Sequence, residues 1–382
     1  MSNTMSESRL FKPLKLGTME LKNRVAMAPC TRFRASDDAA ILPMAKAYYG
    51  ERACVPGTLL IAEGAFISKH HGGYPNIPGI YNQEHIDAWK IITDEVHDKG
   101  SFIYLQIWAL GRAADSSYAQ ANNITVKSSS AVPIHDDDAV PVETAHAVPV
   151  EMTHDDIKEA IATYAQAAKN AIAAGFDGVE IHAANGYLVD QFTQDTCNKR
   201  TDKYGGSIEN RSRFAIEVTR AVVDAVGAER TGIRLSPFSE FQGMKMKTDL
   251  IPQFSDLLRK LNTFKLAFVH LVEPRIGGDS DVQAVDSLEP LLPLYNSGPI
   301  VLAGGFKPDS AKRLLDEEHR DRDVVVAFGR YFISTPDLVF RLERGIEFNP
   351  YKRATFYEEK KSEVGYNDYP FSKEWKREQA NP

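Results

Sequence analysis

The chain has 382 residues, 43% hydrophobic and 25% charged, which is the composition of a globular protein with a large apolar core. Lys and Arg number 45 against 52 Asp and Glu, and the net charge of -7 argues against a nucleic-acid-binding surface. Three cysteines without a CxxC pair argue against a disulfide framework or a thiolate zinc site, and we expect no metal.

The first residues, Met1 to Leu14, lack the apolar core of a signal peptide. No stretch of the chain approaches the ~18 consecutive apolar residues that a membrane span requires. We therefore expect a cytoplasmic protein whose partners are small molecules, with no membrane or nucleic-acid contact, as a monomer or a homodimer.

Eight apolar runs of strand length recur along the chain. Each is continuously hydrophobic, as parallel strands buried on both faces should be, and helix-like patterns lie between them. This alternation predicts an α/β fold, a (β/α)₈ TIM barrel. The runs are Val25–Pro29, Thr58–Phe66, Phe102–Trp108, Gly178–Ala183, Gly232–Ser236, Phe268–Val272, Pro299–Ala303 and Val324–Phe328.

A long polar excursion, residues 111–152, follows the third run and has no helical periodicity. So many structureless residues are unusual in a compact domain. We expect a small hairpin that covers the barrel mouth as a long βα loop, and a disordered solvated loop is the open alternative. The next helix begins near Thr153, a capping residue, and ends at Gly175.

The closing helix is predicted over Pro336–Gly345, and an aromatic tail follows from residue 349 to 382. Aromatic side chains this dense rarely belong to a free tail, so we expect the tail to pack back on the barrel. We therefore predict one domain over residues 1–382, with a barrel core of about 20–348.

Polar side chains follow the fourth apolar run, where its strand should end. His182, Asn185 and Tyr187 fall within six residues, and all three can donate hydrogen bonds. Two neutral donors aimed at one carbonyl or nitro oxygen stabilise the negative charge that develops there. Tyr187 would then protonate the carbon of the resulting enolate. Capping and loop hydrogen bonds are the structural alternative for a His-x-x-Asn sequence.

Further polar residues belong to other strands. Gln106 and Trp108 share one side of the third strand, where Gln106 can pair with the pyrimidine edge of a flavin and Trp108 can wall a pocket or belong to the core. Arg234 lies inside the fifth strand, where a charge needs a partner. That partner would be either a reduced, anionic flavin or a carboxylate such as Glu180.

Two glycine-containing turns follow the last two strands, at Gly304-Gly305 and at Gly329-Arg330. These are the positions where such barrels hold a phosphate, since glycine lets backbone N–H groups approach the anion and arginine supplies charge. The chain has no G-x-G-x-x-G sequence and no P-loop, so a redox partner must use the open barrel mouth.

The sequence resembles the old yellow enzyme family of FMN-dependent ene-reductases, which includes the 12-oxophytodienoate reductases. The similarity extends from about Leu10 to Pro370. Its most specific segments are Ala28-Pro29-Cys30-Thr31-Arg32, Glu63-Gly64-Ala65, Gly72-Gly73-Tyr74, Gly178 to Leu188, Asp202 to Ser207, Gly329-Arg330, Gly365-Tyr366 and Asp368-Tyr369-Pro370.

The resemblance implies a TIM barrel with non-covalent FMN, which NADPH reduces and which then transfers a hydride to the β-carbon of an α,β-unsaturated aldehyde, ketone or nitro compound. It implies that His182 and Asn185 bind the substrate oxygen, that Tyr187 protonates the α-carbon, and that Trp108, Tyr74 and Tyr357 border the substrate. The residues implied at the cofactor are Pro29, Thr31, Gly64, Gln106, Arg234, Gly304, Gly305, Gly329 and Arg330.

Two departures from the family pattern leave alternatives open. Cys30 precedes Thr31, and a related branch uses cysteine near the flavin, so an alignment shifted by one residue exchanges their roles. The usual Arg- and Pro-bearing segment is replaced over Ala139–Met152, which bears on contacts to NADPH or substrate.

Other functions remain open at the level of the sequence. One is a flavin-assisted isomerase or a reductase of one specific biosynthetic enal. Another is an FMN hydroxyacid oxidase, which would need a histidine base and arginines for a carboxylate. The third is a barrel that binds flavin or lipid without catalysis.

Overall fold

The predicted apolar runs all form strands in the computed structural model, which describes residues 5–135, 146–277, 280–283 and 286–380. The run predicted as Val25–Pro29 ends two residues earlier, since Pro29 has no N–H for a strand ladder. The strands are β1 Leu14–Leu16, β2 Met19–Leu21, β3 Val25–Met27, β4 Leu59–Phe66, β5 Phe102–Trp108, β6 Lys127–Ser128, β7 Val150–Glu151, β8 Gly178–His182, β9 Thr231–Leu235, β10 Phe268–Val272, β11 Ile276–Gly277, β12 Ser280–Asp281, β13 Ile300–Ala303 and β14 Val324–Phe328.

Eight of these strands close into a parallel barrel in the order β3, β4, β5, β8, β9, β10, β13, β14. The predicted (β/α)₈ barrel is therefore confirmed. Parallel strands need crossover connections, and helices supply them on the outside of the barrel. The α-helices are α1 Ala45–Arg52, α2 Gln83–Asp98, α3 Ser116–Ala121, α4 His154–Ala173, α5 Leu188–Thr193, α6 Ile208–Val226, α7 Leu250–Asn262, α8 Pro308–Arg313, α9 Arg330–Ser334, α10 Leu338–Arg344 and α11 Lys373–Ala380.

Helix α4 has the ends that the sequence predicted. The Thr153 side chain accepts the N–H of Asp156, and the Asp156 side chain accepts the N–H of Thr153, which is a reciprocal capping box. Gly175 follows the helix with φ of 91°, a left-handed conformation that favours glycine. Among the described helices, none combines the length and the apolarity that a membrane crossing needs.

The described part of the 111–152 excursion differs from the prediction. Strands β6 and β7 pair in parallel, so they do not form a hairpin, and the described excursion residues do not line the cavity at the barrel mouth. The segment is held beside α5 instead: Ser128 and Ser129 donate to the side chain and carbonyl of Gln191, at 2.8 and 2.7 Å. Residues 136–145, which include Asp136–Asp138 and Ala139–Thr144, lie outside the described residues.

The C-terminal segment contacts the strand β3 side of the barrel through buried arginines, among them Arg32 and Arg34. Arg32 donates to the carbonyl of Gly365 at 2.6 Å and to the carbonyl of Phe356 at 3.2 Å. The buried ring of Tyr366 stacks on Tyr48 with 4.2 Å between ring centroids. These contacts hold the aromatic residues 351–357 next to the end of β3.

Candidate active site

A cavity of about 430 Å³ lies where the barrel strands end, among side chains from seven different strand ends and the C-terminal segment. Nearly every residue predicted for the site lines it. The predicted residues on its wall are Pro29, Thr31, Gln106, Trp108, His182, Asn185, Tyr187, Arg234, Gly304, Gly305, Gly329, Arg330 and Tyr357.

Gly64 and Tyr74 are the two predicted site residues that the structure does not place on this wall. Gly64 lies behind it: a Cβ there would be 2.6 Å from the Trp108 ring, so glycine lets the ring pack against β4. Tyr74 packs beside an apolar cluster that includes Phe66 and Trp108. Both residues support the wall from outside.

The turn after β8 brings three rings together. The His182 and Tyr187 ring centroids are 4.7 Å apart, and Trp108 lies 4.7 Å from Tyr187 and 5.8 Å from His182. Nδ1 of His182 accepts the N–H of Ala184 at 3.4 Å, so the proton of the neutral ring is on Nε2. Burial lowers the pKa of His182 well below its usual value, and Arg234 and His270 lower it further. His182 is therefore a neutral hydrogen-bond donor.

The backbone of this turn is fixed by buried side chains that sequence reasoning missed. Asn185 has a left-handed φ of 57°, and its N–H donates to the Ser236 hydroxyl at 2.7 Å. Asp190 accepts the N–H of Gly186 at 2.9 Å, and Gln191 donates to the Gly186 carbonyl at 2.7 Å. Strained backbone held by its surroundings is typical of functional sites. Ser236, Asp190 and Gln191 carry no motif of their own, so their role needed the tertiary structure.

The phenol of Tyr187 lies beside His182. Burial raises the pKa of Tyr187 above its usual value, and Tyr74 and Tyr357 raise it further. The phenol is therefore protonated across the neutral range.

Gln106 and Arg234 form the wall opposite the phosphate-side turns. Gln106 donates its Nε2–H to Oε1 of Glu180 at 2.8 Å. Arg234 does not pair directly with Glu180, which was the carboxylate alternative: Glu180 is hydrogen-bonded to Gln106 and, at 2.7 Å, to His270. Within the described residues, Nε of Arg234 has no hydrogen-bond partner.

The glycine turns form a cradle on the other side. Gly304 and Gly305 have φ of 146° and 62°, and a Cβ on Gly304 would lie 2.4 Å from Cβ of Glu273. Arg330 holds the Asp281 carboxylate through two hydrogen bonds of 2.8 and 2.6 Å. Oδ1 of Asp281 also lies 3.2 Å from the Cβ position of Gly305, so a carboxylate occupies the space between the glycine pair and the arginine.

These residues fit FMN. Within the part of the chain that the structure describes, Nε of Arg234 and Nε1 of Trp108 have no hydrogen-bond partner, and a ring with carbonyl groups in the cavity could accept from these buried donors. The Asp281 carboxylate shows that the cradle and Arg330 accommodate an anion, and a phosphate makes the same bidentate contact. Lining residues that the sequence did not predict come mainly from loops and the tail: Phe241, Ile276, Asp281, Lys307, Tyr331, Tyr351 and Phe356.

Cys30 and Thr31 both line the cavity. Sγ of Cys30 lies 3.3 Å from the Cβ position of Gly329, which places the thiol beside the phosphate-side turn. Burial raises the pKa of the Cys30 thiol to about 11.

Three comparisons relate this chain to proteins of known type. The sequence profile described as the NADH:flavin oxidoreductase / NADH oxidase family matches residues 9–349. The chain is 55% identical to a chanoclavine-I aldehyde reductase of Penicillium roqueforti, over 97% of this chain and 98% of that protein. It is 52% identical to an NADP-dependent oxidoreductase of Aspergillus flavus, over 96% of this chain and 97% of that protein. The crystal structure of an Old Yellow Enzyme from a Pichia species matches with a TM-score of 0.88 and 38% identity, covering 97% of this chain and 95% of that chain.

The ion pair between Asp281 and Arg330 predicts competition with an added phosphate group. Because the Asp281 side chain is 62% exposed, the pair is partly screened by water. We expect Asp281→Asn to tighten FMN binding roughly two- to fivefold, measured by quenching of flavin fluorescence. Asp286→Asn is the matched control, since it removes the same charge from a carboxylate that pairs with Lys245. Equal affinity in the two variants would contradict the competition.

The raised pKa of Cys30 predicts a slow reaction with alkylating agents. With a pKa of about 11 rather than the ordinary ~8.5, the thiolate fraction at pH 8 falls roughly a hundredfold. Iodoacetamide should therefore label Cys30 far more slowly in the folded protein than in urea, with a rate that increases as the pH rises. Peptide mass spectrometry measures this labelling, and rapid labelling of folded protein at pH 7 would show that Cys30 is a thiolate.

Proposed function

Because the chain belongs to the NADH:flavin oxidoreductase / NADH oxidase family and is an old yellow enzyme-like oxidoreductase, we propose that it is an FMN-dependent ene-reductase. The observation that carries this proposal is the convergence of three neutral donors, His182, Asn185 and Tyr187, on the cavity that also contains Arg234. The proposed reaction is reduction of an activated C=C bond with NADPH as the reductant.

The residues that would hold FMN are divided between two ends of the cavity. Gln106 and Arg234 would bind the pyrimidine side and Thr31 a ring carbonyl, while Gly304, Gly305, Gly329 and Arg330 would bind the phosphate. When bound, FMN would supply the redox chemistry, which is hydride transfer from NADPH to the β-carbon of the substrate.

His182 and Asn185 bind the substrate oxygen in this proposal. The Nε2–H of His182 and the side-chain N–H of Asn185 would both donate to the substrate oxygen, and neither side chain carries a charge. Negative charge develops on the oxygen as the β-carbon is reduced, so the two hydrogen bonds strengthen in the transition state. The Ser236, Asp190 and Gln191 contacts keep the turn in place, which limits reorganisation during the reaction.

Tyr187 protonates the α-carbon in this proposal. A phenol with a raised pKa is a weak acid, and a carbanion-like carbon is basic enough to take its proton. The Tyr187 ring contacts the His182 ring, and His182 would bind the substrate oxygen. The bound oxygen and the protonated α-carbon would therefore be close together in one substrate molecule.

The relatives support a narrower substrate class. The Penicillium relative is named for an aldehyde, which favours an α,β-unsaturated aldehyde over the ketone or nitro compounds also proposed from the sequence. The Aspergillus relative is named NADP-dependent, which supports NADPH. We propose a cytoplasmic enzyme, monomeric or homodimeric.

One anaerobic titration tests this function. Protein loaded with FMN should lose its yellow absorbance on addition of NADPH and recover it on addition of an enal such as cinnamaldehyde, with formation of the saturated aldehyde. A flavin that stays reduced after addition of the enal, while the double bond of the enal isomerises, would favour the isomerase. Loss of the yellow absorbance on addition of a 2-hydroxy acid in place of NADPH would favour the hydroxyacid oxidase. A protein that binds no FMN would overturn the proposal.

Replacement of the proton donor tests the role of Tyr187. Tyr187→Phe should slow the reoxidation of the reduced enzyme by an enal roughly 10²- to 10⁴-fold, because proton transfer by a positioned acid is lost. Reduction by NADPH should be unaffected, since that step needs no proton from Tyr187. Stopped-flow absorbance measures both half-reactions, and Tyr81→Phe, which lies outside the cavity, is the control. An unchanged rate of reoxidation would assign the proton to another donor.

A further inference from the structure

Two ionisable side chains lie beneath the cavity without lining it. Glu180 on β8 and His270 on β10 are both fully buried, and Nδ1 of His270 is 2.7 Å from Oε2 of Glu180. Two charge-bearing groups in a barrel interior are costly unless they are paired. The pairing of Glu180 with His270 explains how the barrel tolerates both groups. Their position next to the cavity wall allows them to act on the side chains that line the cavity.

Glu180 also determines how the Gln106 amide is oriented. Oε1 of Glu180 accepts the Nε2–H of Gln106 at 2.8 Å, and the strand register places Glu180 directly opposite Gln106. Because the carboxylate can only accept, the amide nitrogen must face it. The Gln106 oxygen then lies on the other side of the amide, 3.4 Å from the Cβ position of Gly64, and Gln106 itself lines the cavity.

The charges around this pair balance. Burial lowers the pKa of His270 below its usual value although Glu180 raises it, so His270 is neutral and donates its Nδ1–H. Its Nε2 has no hydrogen-bond partner within the described residues, as the neutral ring allows. Both oxygens of Glu180 accept from N–H donors, as a carboxylate does, and Arg234, whose strand pairs with both β8 and β10, is the nearby cation. Burial lowers the pKa of Arg234 below its usual value, and the nearby Glu180 carboxylate offsets part of that effect.

We propose that Glu180 and His270 are positioning residues that orient the Gln106 amide and offset the charge of Arg234, and thereby set the reduction potential of the flavin in the cavity. This inference rests on the proposed function. It assigns to two residues below the site a role that none of the cavity-lining residues can perform alone.

The direction of the effect follows from the charge balance. Two-electron reduction of FMN with uptake of one proton leaves a ring with one additional negative charge, and that charge lies near Arg234. A negative Glu180 opposes this state and shares Arg234 with it. Removal of the Glu180 charge should therefore favour the reduced form of the flavin and raise its midpoint potential. The same substitution removes the carboxylate that accepts the Nε2–H of Gln106, so the Gln106 amide is no longer held in one orientation.

The test is Glu180→Gln, with midpoint potentials measured by anaerobic titration against a reference dye. At a fixed potential, the ratio of reduced to oxidised flavin should rise at least roughly tenfold, as expected for loss of a nearby charge in a buried site. NADPH should reduce this variant faster, and the enal should reoxidise it more slowly. A purely structural role would lower FMN content and thermal stability but leave the potential of the bound flavin unchanged.

Three further variants keep the test decisive. If Glu180→Gln folds poorly, variants of His270 provide the test. His270→Gln retains a side-chain N–H donor for Glu180, so the potential of its bound flavin should stay near that of the unaltered protein. His270→Leu removes the donor, so the potential of its bound flavin should shift.

Glu63→Gln is the matched control, because Glu63 is a buried glutamate on β4 that binds Arg32 and Tyr49 rather than Gln106. If the unaltered protein binds FMN and the potentials of Glu180→Gln and Glu63→Gln agree, the inference is wrong while the proposed function stands. If the unaltered protein binds no FMN, the proposed function itself fails.

Discussion

The parallel register of the closed barrel is the constraint on which the rest of this structure depends. It places Gln106 opposite Glu180, and Arg234 opposite both His182 and His270. Residues far apart in the chain thereby meet at one end of the barrel, and a shift of one residue in any strand would turn its side chain toward the outer helices. The site therefore needs a rigid sheet more than it needs any single contact.

Burial then decides which of these groups carry charge. His182 is neutral and Tyr187 is protonated because both are removed from water, which makes them donors to a developing negative charge. Burial also lowers the pKa of Arg234, and the nearby Glu180 carboxylate offsets part of that effect. The phosphate side shows the same principle, since Arg330 there is paired with the Asp281 carboxylate. A flavin phosphate would take the place of the Asp281 carboxylate in the contact with Arg330.

Much of the fold was predictable because buried parallel strands leave a continuous apolar signal, and all eight barrel strands carry it. The turn at His182–Tyr187 was predictable because its polar residues directly follow such a strand, and the family relationship inferred from these motifs is confirmed. The 111–152 excursion was not: Ser128 and Ser129 depend on Gln191, a partner 62 or 63 residues away that no local pattern reveals. Tyr74 was assigned to the cavity wall from its motif, whereas the structure places it against an apolar cluster that includes Phe66 and Trp108 and not among the cavity-lining residues.

The sequence by itself determined the type of fold, the family and most of the residues around the cavity, because hydrophobic periodicity and short motifs are local properties of the chain. Only the tertiary structure decided the electrostatics of the site: the pairing of Glu180 with His270 and Gln106, the contact of Asp281 with Arg330, and the clamp on the turn after β8. Hydrogen bonds and charge interactions depend on distance and burial, and folding fixes both only when distant segments have come together.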